Sequence, residues 1–106
     1  LVQNIEISDL KPSPEIFSLD QNMPNPFNPS TTIGYQLPEA GHVTLVVYNL
    51  LGQEVRKLVD EQMDAGYYSL VWNGMDGLGR QVASGIYIYM MQANTFSQTR
   101  RMMLLK

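Results

Sequence analysis

The sequence contains no cysteine, which excludes disulfides, thiolate nucleophiles and cysteine-ligated zinc together. Histidine is nearly absent too. The single imidazole, His42, has no cysteine or carboxylate cluster beside it to complete a zinc site, and no nucleophile motif accompanies it for acyl transfer. It follows Gly41 at a strand start and is expected to be solvated. Basic residues are scarce: seven Lys and Arg against ten Asp and Glu leave a net charge of −3. That argues against a nucleic-acid partner, because phosphate neutralisation needs a surplus of cations on one face. No apolar run approaches the roughly 18 residues that span a bilayer, so no transmembrane segment is expected. Leu1-Val2-Gln3-Asn4 lacks the basic region and apolar stretch of an export signal. The hydrophobic share of 44% is too high for a largely disordered chain. A length of 106 residues supports one core and not two.

What is present is a succession of short alternating segments separated by turn residues. Residues 1–15 read as a linker or the tail of a preceding domain, since Lys11-Pro12-Ser13-Pro14 breaks the alternation of Asn4 to Ser8 and proline removes ladder donors. Glu15 to Leu19 reads as a first strand. Met23 to Pro29 carries three prolines and is expected to be a rigid irregular loop. Ile33, Tyr35 and Leu37 alternate with polar partners, and Val43, Leu45 and Val47 repeat the pattern in a β-branched run. Asn49-Leu50-Leu51-Gly52-Gln53 turns the chain, with its two leucines expected to tuck back onto the core. Glu54 to Val59 fits a strand or one helical turn equally. Tyr68, Leu70 and Trp72 then alternate, Asn73 to Gly79 turns on three glycines, Ile86 to Gln92 forms a strand after Ser84-Gly85, and Gln98 to Leu105 closes the chain. Seven short strands with turns every eight to twelve residues predict an all-β, immunoglobulin/fibronectin-like antiparallel β-sandwich over residues 16–106.

Several motifs, taken in order, carry a resemblance. Gln21 to Ile33, including Pro24-Asn25-Pro26-Phe27-Asn28-Pro29, is followed by Leu37 to Val43, Val47 to Val55, Trp72 to Tyr87 and the terminal Gln98 to Lys106. Together they resemble the C-terminal sorting domains of the type IX (Por) secretion system. The Trp72-to-Tyr87 portion also resembles the immunoglobulin-like domain of flagellar hook-capping proteins. The resemblance implies a non-catalytic secretion and cell-surface attachment signal at the end of a larger exported protein. Its implied partners are an outer-membrane translocon, a sortase-like peptidase cutting within residues 1–22, and an upstream cargo domain in the same chain. The implied destination is the cell surface or medium, by way of the periplasm. Gly34 departs from the more usual polar or basic residue there, and is expected to mark a bulge or a close approach of backbones.

Each candidate site has a structural reading beside the functional one. Phe27 among its prolines is either a recognition loop or a plug for the open end of the sandwich. Asp76, with Asn73 and the surrounding glycines, invites calcium, but the spacing lacks alternating acidic ligands and a distal glutamate, so a hydrogen-bonded turn is expected. Trp72, Gly74, Asp76, Gly79, Gly85 and Tyr87 are read as structural members of the motif. Trp72, Tyr67, Tyr68, Tyr87 and Tyr89 form either a sugar platform or a core; alternation places Trp72 with Leu70 and Tyr68 inward and turns Tyr67 outward. Arg100, Arg101, Met102, Met103, Leu104, Leu105 and Lys106 form a basic-then-apolar terminal strand, read as the recognition segment and expected to offer its edge to a partner by strand addition. Such an edge can also pair two isolated copies as a dimer. No catalytic set, metal or cofactor is expected. A carbohydrate-binding module and a structural assembly domain are the competing functions.

Overall fold

The computed structural model describes residues 13–106. Seven strands form in chain order: β1 (Ser18–Leu19), β2 (Thr31–Leu37), β3 (Gly41–Tyr48), β4 (Glu54–Met63), β5 (Gly66–Trp72), β6 (Gly85–Ala93) and β7 (Phe96–Leu104). They build two antiparallel sheets, ordered β1-β2-β5 and β4-β3-β6-β7. Most of the expected linker, residues 1–12, lies outside the described residues.

The layering follows from the period-two pattern. In β2 the buried residues Thr31, Ile33, Tyr35 and Leu37 alternate with more exposed ones, and in β6 the inward set is Tyr87, Tyr89, Met91 and Ala93. The β2 set faces the β6 set and, in the same sheet as β6, Val43, Leu45 and Val47 of β3 and Met102 and Leu104 of β7, in one core. Each aliphatic side chain so buried contributes about 1.5–3 kcal/mol relative to exposure. Trp72, at the end of β5, is buried between Phe27 and Tyr87, with ring centroids 5.7 and 5.6 Å away. Its indole N–H donates to the Met75 carbonyl at 2.9 Å, so the ring is buried with its polar atom paired.

Three expectations need correction. The first strand covers only Ser18–Leu19, pairing with Gln36 and Tyr35. The chain bends at Glu15 and Ile16, and the Ile16 carbonyl accepts the Gln36 side-chain amide instead of a ladder N–H. Leu50 and Leu51 do not tuck inward; they are 62% and 83% exposed. Gly34 marks no bulge, for the β2–β5 register runs unbroken through it. A Cβ there would lie 2.6 Å from the Asp20 carboxylate, so the close approach is by a side chain. The undecided segment after Gly52 is strand β4, and its register against β3 shifts twice.

Candidate functional site

One end of the sandwich gathers the loop Met23–Pro29, the end of β7, the turn after β5 and the turn between β3 and β4. The opposite end receives the chain from the N-terminal side: Phe17 stacks on Phe96, at the start of β7, with centroids 5.3 Å apart.

The proline-rich loop is fixed by a buried polar network. The Asn22 backbone N–H donates to the Tyr89 hydroxyl at 2.8 Å, and that hydroxyl donates to the Asp20 carbonyl at 2.6 Å. The Asn22 side-chain amide donates to the Thr31 hydroxyl and the Pro24 carbonyl, at 2.9 and 3.1 Å. Asn22 and Thr31 are buried, and among the described residues no buried side-chain nitrogen or oxygen lacks a partner. Burial pushes the Tyr89 hydroxyl up to about 12, against the opposing Asn22 hydrogen bond and the Arg100 charge. Beyond this network the peptide bonds before Pro24, Pro26 and Pro29 are cis, and Phe27 turns inward to 2% exposure.

The loop lies along β7 and changes what that strand can do. β7 is an edge strand, but its outer backbone groups toward the C-terminus are occupied. The Arg101 carbonyl accepts the Gln21 side-chain amide at 2.6 Å, and the Met103 N–H donates to Asn25 Oδ1 at 2.9 Å. The Phe27 N–H donates to the Met103 carbonyl and the Leu105 N–H to the Phe27 carbonyl, at 2.9 and 3.0 Å. The expectation of strand addition over this stretch is therefore wrong, because the chain's own residues 21–27 already hold the edge. What the terminal segment does offer is side chains. Met102 and Leu104 are buried, while Arg101, Met103, Leu105 and Lys106 face solvent. Arg100 is half-buried, its guanidinium Nε donating to the Leu19 carbonyl. A shallow cleft of about 240 Å³ opens beside them, lined by Asn25, Pro26, Ile86, Arg101, Met102 and Met103.

The other motif residues fall into the turn after β5. Gly74 has a φ of +74° and lies so close to Pro29 that a Cβ would sit 3.1 Å from its carbonyl oxygen. Asp76 closes a turn: its Oδ1 accepts the Leu78 and Arg80 N–H groups at 2.9 and 3.0 Å, and its Oδ2 accepts Arg80 Nε at 3.2 Å. The Arg80 N–H, then that of Leu78 and the Arg80 charge, hold this carboxyl below its usual value. Gly79 and Gly85 take positive φ angles of 79° and 154°, and the Tyr87 hydroxyl donates to the Ala83 carbonyl. Among the described residues no three His, Asp or Glu side chains are grouped to hold a metal ion. His42 is exposed and lies 2.6 Å from Asp60, whose carboxyl it draws down by this hydrogen bond. Of the aromatic residues, Trp72, Tyr87 and Tyr89 are core, Tyr68 stacks on Tyr35, and Tyr67 is 46% exposed, so they share no exposed face.

Two facing antiparallel sheets of three and four strands, plugged at one end by an aromatic cluster, define an immunoglobulin-like β-sandwich domain. Residues 25–97 match the FlgD Ig-like domain family, and the chain belongs to that family. No curated protein matches the sequence. Among solved structures, FlgD from P. aeruginosa is similar at 25% identity, with a TM-score of 0.55 over 70% of this chain and 57% of that one. Dimeric latent PorU from Porphyromonas gingivalis has a TM-score of 0.67 at 16% identity, over 85% of this chain. PorZ of the same organism, an essential surface component of the type-IX secretion system, has a TM-score of 0.56 at 18% identity, also over 85%. The chain spans only 9% of PorU and 11% of PorZ, and these two likenesses are of fold.

Proposed function

We propose that the chain is the non-catalytic sorting module of a larger exported protein, engaged by type IX secretion machinery for release and attachment at the cell surface. An upstream cargo domain, an outer-membrane translocon and a sortase-like peptidase are the partners this reading implies. Its sequence support is the ordered set of motifs from Gln21 to Lys106; its structural support is the fold shared with PorU and PorZ. The observation that carries it is the terminal ribbon. Met102 and Leu104 anchor it in the core, the proline-rich loop clamps its outer edge, and Arg101, Met103, Leu105 and Lys106 are left outward beside an apolar cleft. A segment held this firmly presents side chains at little entropic cost on binding.

Deleting residues 100–106 would strip Met102 and Leu104 from the core, so point changes at exposed positions make the cleaner test. In a bacterium with the machinery, a cargo carrying Met103→Glu and Leu105→Glu should accumulate in the periplasm while remaining folded by circular dichroism. Normal secretion of that folded variant would refute the reading. A structural assembly role is favoured by a different observation, the match to the FlgD family over residues 25–97. It requires self-association or filament binding with secretion unaffected by the same two substitutions.

A further inference from the structure

The two turns at the recognition end share one design. In Asn49-Leu50-Leu51-Gly52-Gln53, Asn49 Oδ1 accepts the Leu51 and Gln53 N–H groups, both at 3.0 Å. The Asn49 carbonyl accepts the Gly52 N–H, and the Asn49 N–H donates to the Gln53 carbonyl. Asp76-Gly77-Leu78-Gly79-Arg80 repeats each bond: Asp76 Oδ1 takes the N–H of Leu78 and of Arg80, its carbonyl takes that of Gly79, and its own N–H reaches the Arg80 carbonyl. The first and fifth side chains are joined in both, Asn49 to Gln53 at 2.7 Å and Asp76 to Arg80 at 3.2 Å. The fourth residue is glycine in both, with φ of +80° and +79°. The third residue is leucine in both, and each points into solvent: Leu51 is 83% and Leu78 is 78% exposed. The turns are tied together, since the Gly77 N–H donates to the Val55 carbonyl at 3.0 Å and Arg56 reaches the Asp76 carbonyl at 3.1 Å.

Exposed leucines on stiff, internally satisfied turns serve no packing purpose among the described residues. They can enter a dry contact without stranding the peptide N–H groups behind them. We infer that Leu51 and Leu78 are twin anchors for a protein partner that offers apolar pockets with an uncharged rim, and that this partner is the export receptor. This rests on the sorting-module reading above. Three observations select such an occupant. The described chain reaches β1 from the opposite end, so among the described residues no preceding segment covers this end. The patch carries no surplus charge, because Asp76 and Glu54 are matched by Arg80 and Arg56, which disfavours an anionic surface or a nucleic acid. It is also continuous with the terminal ribbon: one cleft is lined by Asn73, Gly74 and Gln81 from the turn after β5 and by Leu104 and Lys106 from the ribbon.

The test uses a reporter cargo carrying the whole chain in a bacterium with type IX machinery. Leu51→Asp with Leu78→Asp should lower secretion by about tenfold or more, with circular dichroism and melting temperature unchanged. Ile16→Asp, at an apolar position 65% exposed at the far end, should secrete like the parent. If the double aspartate variant misfolds, Leu51→Ser with Leu78→Ser replaces it under the same expectation. Secretion of the folded double variant within about twofold of the parent, while Met103→Glu is retained, overturns the anchors and leaves the sorting reading standing. Failure of the parent itself to be secreted overturns both.

Discussion

At the scale of single residues, Tyr89 connects the core to the proline-rich loop. Its ring lies among Val47, Met91 and their neighbours, while its hydroxyl bridges the Asn22 N–H and the Asp20 carbonyl at the start of the proline-rich loop. Tyr89→Phe keeps the ring and leaves both backbone groups without their partner, so chemical denaturation should show a loss of about 1–3 kcal/mol. The same hydroxyl sets an alkaline limit. Burial raises Tyr89 and Tyr35 from 10.0 to about 12, so the folded state holds these protons more tightly than the unfolded chain does. Their contribution is complete below pH 10 and disappears as pH rises through about 12. Stability of Tyr89→Phe should therefore fall less steeply over that interval than stability of the parent. A parallel fall would contradict the assignment.

At the scale of elements, the edges explain what alternation revealed and what it hid. The inward sets of β2, β3 and β6 were readable because a one-residue slip would turn an entire apolar face outward. β4 was not readable, since it is an edge strand whose two register shifts break the period. The exposure of Leu50 and Leu51 was hidden for another reason. Apolarity alone suggests burial, whereas the Asn49 and Gly52 turn chemistry holds both side chains out; the matching Asp76-to-Arg80 spacing was the available signal. The clamp on β7 could not be read at all, because it joins residues 78 apart in sequence, Asn25 and Met103. It has a measurable consequence. Amides of Met103 and Leu105 should resist hydrogen exchange despite lying on an edge strand, and Asn25→Ala should speed exchange at Met103 more than at Ser97, which lies outside the clamp. Equal rates at Met103 in parent and variant would show that Asn25 does not hold that edge.

At the scale of the whole molecule, the sandwich separates two tasks by placing them at opposite ends. The chain comes in beside Phe17 and Phe96, and the loops, the terminal ribbon and the twin leucine turns converge one strand length away. The fold class was legible in the order of strands and turns. The occupied outer edge of β7 was not legible, since it depends on which backbone groups remain open after folding. The central claim is that these residues suffice as an export address. Its most direct measurement fuses the chain to a periplasmic reporter that is not normally exported, and compares the surface and medium fractions between a host with intact type IX machinery and one lacking the translocon. The reporter should appear outside the cell only in the intact host. Retention in the periplasm of both hosts, with the domain folded, would contradict it.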